Sequence, residues 1–202
     1  MTTDEYRTIK TLSQGIYKES GSKFLSFAYP VSTEEAVKEL LQQVRKTHHE
    51  YNHHCYAFRL NPDGKVFRFS DDMEPSGSAG KPILGQLLSH ELTEVLIIVA
   101  RYFGGSLLGI PGLINAYRTA AGDAINNSSI IVKTIDETIN LAISYEHLNE
   151  LISILKSESV QIMKQEYGEP VQLQIAVRQS RMKVLMDKLI NNKRLATHLV
   201  IK

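Results

Sequence analysis

Six consecutive apolar residues, 95–100 (VLIIVA), form the longest apolar run of the chain. The run is too short to span a membrane, which takes roughly 20 apolar residues. It is also too continuous for a strand with one wet face, which would alternate apolar and polar residues. The run therefore predicts a buried strand over residues 94–103. Glycine-rich segments at residues 70–81 and 104–112 lie on either side of it, each leading into a helical pattern.

The rest of the chain is organised around that strand. Residues 8–18 and the alternating Leu25, Phe27, Tyr29 and Val31 flank Glu19-Ser20-Gly21-Ser22, which predicts a hairpin. Ser32 and Glu35 form an S-x-x-E capping box ahead of a helix whose apolar face is Ala36, Val37, Leu40, Leu41 and Val44. A second hairpin joins residues 55–60 to 65–69 through Asn61-Pro62-Asp63-Gly64. Pro82 suits the first position of a short helix, and a longer helix is expected over residues 113–126. From residue 134 the order is strand, helix, strand, strand, helix, strand, the ferredoxin-like split βαβ pattern. The fold class is α+β, with a first domain at residues 1–133 and a ferredoxin-like second domain at residues 134–202.

Charge and cysteine content narrow the function. Lys and Arg number 23 against 22 Asp and Glu, a net charge of +1. A coat for duplex DNA carries a strong basic excess, so only a local nucleic-acid contact fits. Cys55 is the only cysteine, so no intrachain disulfide forms and a reducing compartment is the simple reading. The N-terminus shows no apolar signal region. The expectation is a cytoplasmic protein with no membrane partner, a monomer or small homo-oligomer.

Two loops could carry chemistry. The first crowds Asp71, Asp72, Glu74, Ser76, Ser78 and Lys81 around Gly77 and Gly80, whose backbone N–H groups could meet a ligand. It is not a Walker A loop, since Pro75 and Pro82 stand where Gly and Ser or Thr are required. Its carboxylates are of the type that holds Mg²⁺. The second loop runs from Arg101 and Tyr102 through Gly104, Gly105, Gly109 and Gly112 into the helix bearing Tyr117. Strand, glycine loop and helix start make an anion site, but the G-G-x-x-x-G spacing fails the dinucleotide fingerprint. Arg101 could clamp a phosphate, or pair with Asp71, Asp72 or Glu74 and so bring both loops together. His53 stands at a strand start beside them, whereas the pairs 48/49 and 53/54 lack zinc-site spacing. Cys55 reads as a small core residue.

Taken together, residues 21–25 (GSKFL), 53–57 (HHCYA), 71–82 (DDMEPSGSAGKP) and 101–117 resemble the YigZ/IMPACT family. The resemblance implies a first domain like the second domain of ribosomal protein S5, and a second domain like one in elongation factor G. It implies a polar cleft for nucleic acid formed by the motif loops, with RNA, the ribosome or a translation-related protein as partner. The family pattern has Gly at Met73, Thr at Ser78, Lys at Leu107, Thr at Ile110, Gly at Pro111 and Arg at Asn115. Two cations are thus missing from the second motif segment, which predicts modest, shape-dependent binding. No residue is assigned as catalytic, because no complete nucleophile, base and orienter set is present. RNA or ribosome binding in translation therefore ranks first. A hydrolase or transferase for a small anionic substrate, with Mg²⁺ as its only candidate cofactor, ranks second. An adaptor using the ferredoxin-like sheet ranks third.

Overall fold

The structure is a computed structural model that describes residues 4–201. Its contacts divide the chain into two units, Tyr6–Lys133 and a second unit from Thr134 onward that includes Asp4 and Glu5. The first unit contains β1 (Glu5–Ile9), β2 (Ser13–Glu19), β3 (Ser22–Pro30), α1 (Glu34–Thr47), β4 (His53–Leu60) and β5 (Val66–Ser70). It continues with α2 (Gly80–Ser89), β6 (Val95–Tyr102), α3 (Gly109–Asn126) and β7 (Ile130–Thr134).

The apolar run is the middle of an antiparallel sheet in the order β2-β3-β6-β4-β5. Its lack of alternation has a direct cause: each face of β6 feeds a separate core. Ile97 and Val99 pack with Ile83 and Leu87 of α2 and Ala116, Tyr117 and Ala120 of α3. Leu96 and Ile98 pack with Val37 and Val44 of α1 and with Phe27 and Phe58. The unit is three layers, helix on sheet on two helices. Gly15 on β2 lets α3 lie close, since a Cβ there would sit 2.5 Å from the Ala124 nitrogen.

Several local expectations shift. The strand expected over residues 8–18 is broken, because β1 leaves to pair with β7 in a separate two-stranded sheet. The hairpin turn itself is as expected, with Glu19 opposite Ser22. Ser20 and Gly21 both have positive φ, 47° and 79°, the two-residue turn whose twist matches antiparallel strands. The cap of α1 is Thr33, whose hydroxyl accepts the Ala36 N–H at 3.2 Å, so the expected Ser32 capping box does not form. Helix α2 starts at Gly80, which moves Pro82 from the first to the third helical position. Helix α3 starts a turn earlier than expected, at Gly109.

The second unit contains β8 (Asp136–Ile143), α4 (Leu148–Ser157), β9 (Gln161–Glu166), β10 (Val171–Arg178), α5 (Gln179–Asn191) and β11 (Leu199–Ile201). Its sheet order, β11-β8-β10-β9, is antiparallel throughout and is the ferredoxin-like arrangement. The core joins Leu141 and Ile143 to Leu151 and Leu155 of α4 and Leu185 and Leu189 of α5. Val184 and Ile190 of α5 face solvent. Residues 193–198 turn before the short β11, with Leu195 and Ala196 N–H groups on the Asn192 carbonyl. Among the described residues no helix is long and apolar enough to cross a membrane.

The reassigned cap gives a direct test. Thr33→Ala should lower stability by about 1 kcal/mol, whereas Ser32→Ala should change it by less than about 0.5 kcal/mol. Urea unfolding of the two variants distinguishes them.

Candidate functional site

Strand β5 ends at Ser70, and the carboxylate loop begins with a residue that organises everything after it. Asp71 Oδ1 accepts the N–H groups of Ala79 and Gly80, at 3.0 and 2.8 Å, and Oδ2 accepts that of Gly77 at 2.9 Å. Helix α2 has no side-chain cap of its own, so Asp71 supplies the acceptors and negative charge its first turn needs. The expectation that Gly77 and Gly80 offer these N–H groups to a ligand is therefore corrected. Gly80 has a packing role as well: a Cβ there would lie 2.8 Å from the Ser70 backbone.

Asp72 and Met73 follow with φ of 42° and 70°, the left-handed region that side chains disfavour. Asp72 is held on three sides. Oδ1 pairs with Arg45 Nη2 at 2.8 Å, Oδ2 accepts the His54 N–H at 2.7 Å, and the carbonyl accepts His53 Nδ1–H at 2.9 Å. Met73, where the family pattern has Gly, is exposed with no such compensation.

Glu74 turns inward. Its Oε1 accepts Arg101 Nη1–H at 2.7 Å and the Tyr117 hydroxyl at 2.8 Å. The Arg101 and Glu74 side chains are only 6% and 3% exposed, so the pair is fully withdrawn from water. The Arg101 guanidinium lies 5.5 Å from the ring centres of both Phe24 and Phe103, and Nη2 approaches Ser22 Oγ at 3.5 Å. Arg101 Nε is buried without a partner among the described residues. Of the partners the sequence allowed for Arg101, the structure selects Glu74, which joins the two loops.

Cys55 completes the cluster by donating its S–H to the Asp71 carbonyl at 2.9 Å. Burial pushes the Cys55 thiol far above its ordinary pKa, which keeps it a protonated donor rather than a nucleophile. Burial likewise raises the Tyr117 phenol, and the Glu74 carboxylate that its hydroxyl contacts adds to the shift. His54 moves the other way. Burial lowers its pKa, outweighing the His48 carbonyl that lies 3.1 Å from its Nε2.

Asp71, Asp72, Glu74, Gly77, Gly80, His53, Arg101 and Tyr117 thus meet in one connected region. Ser78 is buried and donates its hydroxyl to the Pro75 carbonyl at 2.6 Å, a turn-closing role. Ser76 and Lys81 are exposed, and Lys81 forms no ion pair among the described residues. Tyr102 is 49% exposed, with its ring centre 6.3 Å from that of Tyr51. Gly104 touches the tip of the first hairpin, where a Cβ would fall 1.9 Å from the Gly21 carbonyl carbon. Gly105 and Gly109 have positive φ, 87° and 68°, and Gly112 packs against Leu108. Leu107 stands 90% exposed where the family pattern has Lys. The three carboxylates of the first loop do not converge as the Mg²⁺ reading requires. Among the described residues no group of three or more His, Cys, Asp or Glu is placed to hold a metal.

Sequence reading missed Arg45 and Ser22. Arg45 gives no local signal, since a basic residue in the last turn of a helix is ordinary. Ser22 lies in the GSKFL segment, but only the structure shows its Oγ accepting the Gly104 N–H at 3.2 Å.

Fold and site define a two-domain α+β protein whose first domain is assembled around an internal ion-pair network. The model of the Impact N-terminal domain matches residues 20–125, and that of a domain of unknown function (DUF1949) matches residues 141–192. The chain is 31% identical over 175 residues to the IMPACT family member YigZ of Escherichia coli, covering 86% of each. It is 28% identical over 191 residues to the IMPACT family member YvyE of Bacillus subtilis, covering 93% of this chain and 88% of that one. A crystal structure described as that of a hypothetical protein superposes with a TM-score of 0.73 at 28% identity, covering 98% of this chain and 97% of the other. The structure of the two-domain translational regulator Yih1 overlaps 59% of this chain at a TM-score of 0.40, too distant to carry an argument. The chain belongs to the IMPACT family.

Three outcomes follow from this geometry. Arg101→Ala leaves Glu74 buried and uncompensated, and should cost about 3–5 kcal/mol in urea unfolding. Met73→Gly removes left-handed strain at an exposed site, and should gain about 0.5–1 kcal/mol. The depressed His54 pKa means that the unfolded chain takes up a proton first as pH falls. Stability should therefore decline below about pH 6.5 and level off once the folded-state pKa is passed. His54→Gln should flatten that part of the stability profile, measured between about pH 7.5 and about pH 5.5.

Proposed function

We propose that this protein is a translation-associated binding module that engages RNA or the ribosome through the outer rim of the two motif loops. One observation carries this reading above catalysis: the groups suited to chemistry are already occupied. Asp71 holds three N–H groups, Asp72 holds Arg45 and His54, and Glu74 holds Arg101 and Tyr117. A general base or Mg²⁺ ligand drawn from this set would have to abandon the fold that positions it. The rim left to solvent holds Ser76, Lys81, Tyr102, Phe103 and glycine backbone. That is a cation and aromatic rings on a loop surface, the composition that contacts single-stranded nucleic acid.

Membership of the IMPACT family supports the link with translation, and the resemblance to translation-factor and ribosomal-protein folds runs the same way. Leu107, Ile110 and Asn115 replace the cationic and hydroxyl groups of the family pattern, which favours stacking over charge. Cosedimentation of the purified protein with ribosomes at roughly 50 and 200 mM salt tests the proposal. Binding should be present at the lower salt and be weakened by Lys81→Ala by roughly two- to fivefold, since one phosphate contact is lost. A protein that travels with neither ribosomes nor bulk RNA at the lower salt overturns it.

A further inference from the structure

The tip of the first hairpin carries an arrangement that the motif loops do not explain. Lys18 on β2 and Lys23 on β3 are direct cross-strand partners. Lys23 is in turn opposite Tyr102 on β6. Residues directly opposite each other in an antiparallel sheet project from the same face. Lys18, Lys23 and Tyr102 therefore form one row across three strands. The row borders a shallow concavity of about 490 Å³ at the hairpin tip.

Two features of the row are unusual. Like charges directly opposite each other destabilise a strand pair, and neither lysine forms an ion pair among the described residues. Glu19, next to Lys18 in the sequence and on the border of the same concavity, is engaged by the Tyr17 hydroxyl at 3.1 Å. The second feature is the support beneath Tyr102. Its half-exposed ring meets Tyr51 edge-on, and Tyr51 meets His48, which packs on Phe27 with ring centres 5.0 Å apart. The ring is thus braced from the α1 side, ready to stack before any ligand arrives. The turn at Ser20-Gly21 fixes the register that places the lysines opposite each other.

Paired cations beside a braced aromatic ring match the two halves of a nucleotide. We propose that this row binds one nucleotide unit of single-stranded RNA, with its phosphate between the Lys18 and Lys23 ammonium groups and its base stacked on Tyr102. This inference rests on the RNA reading above and gives it a location: the strand would cross the hairpin tip before meeting the Lys81 rim. A phosphate there relieves the lysine repulsion, and any base can use the ring, so binding is tolerant of sequence.

The test is fluorescence anisotropy of labelled oligouridylate and oligoadenylate against the full chain, over a salt series from roughly 50 to 200 mM. Lys18→Gln/Lys23→Gln should weaken both oligonucleotides about tenfold at the lowest salt and reduce the log–log salt slope by about 0.7, one single-strand phosphate. Tyr102→Leu should weaken binding by about tenfold or more without changing the slope. Because the double variant removes a repulsion, its urea midpoint should not fall, which separates lost binding from lost fold. If the wild type binds RNA while these variants bind equally well, the hairpin site is wrong and the broader reading stands. If the wild type binds no oligonucleotide, the hairpin site is wrong, and the broader reading then stands or falls on the ribosome cosedimentation. If uridine monophosphate competes as strongly as the oligonucleotide, the row is a free-nucleotide site and the RNA assignment is overturned.

Discussion

A guanidinium and a carboxylate, both withdrawn from water, hold the first domain in register. Arg101 stands near the end of the central strand, Glu74 on the loop before α2, Tyr117 on α3 and Ser22 at the start of β3. Buried charges tolerate little displacement, because a lost partner leaves the other ion desolvated. The pair thus permits only arrangements in which strand, loop and helix meet at this point. Asp71 and Asp72 then extend the network to the start of α2, to α1 through Arg45, and to β4 through the backbone of His54. The four motif segments are distant in sequence yet belong to one connected cluster.

This changes what the motifs signify. A loop dense in carboxylates, glycines and lysine suggests reactivity, yet most of its polar atoms serve the fold. Inward-facing residues are chemically conspicuous, whereas those facing outward, such as Lys81, Tyr102 and Leu107, are plain. Motif similarity within the IMPACT family therefore reports a common scaffold first, and the identity of a bound partner rests on the rim. Of the six positions where this chain departs from the family pattern, Met73, Leu107, Ile110, Pro111 and Asn115 are exposed and only Ser78 is buried. The five exposed departures alter the surface, and Ser78 keeps a turn-closing hydroxyl, so the network is left intact.

Much of the fold was legible in the sequence because periodicity and turn chemistry are local. The VLIIVA run marked the central strand, Glu19-Ser20-Gly21-Ser22 and Asn61-Pro62-Asp63-Gly64 marked hairpins, and the order of strands and helices from residue 134 marked the ferredoxin-like domain. The errors came from choices that tertiary structure settles. Ser32 and Thr33 both satisfy a capping rule, and only the path of the chain selects Thr33. The break after Ile9 is invisible locally, because β1 is drawn away by a strand more than a hundred residues later. At the site, composition showed that Arg101 had three carboxylates to choose from but not which one was buried with it. The three N–H groups gathered by Asp71 could not be read from spacing at all, since they depend on the curvature of the loop.

That loop carries its own anion. A glycine-rich segment that cradles phosphate is commonly ordered by its ligand, and the ordering entropy is charged against affinity. Here the carboxylate of Asp71 sits where such a ligand would, tethered to the backbone it organises. The loop is as ordered empty as it would be full. An incoming phosphate would have to displace a covalently attached competitor, whereas a partner settling on the outer rim meets a surface already set in shape.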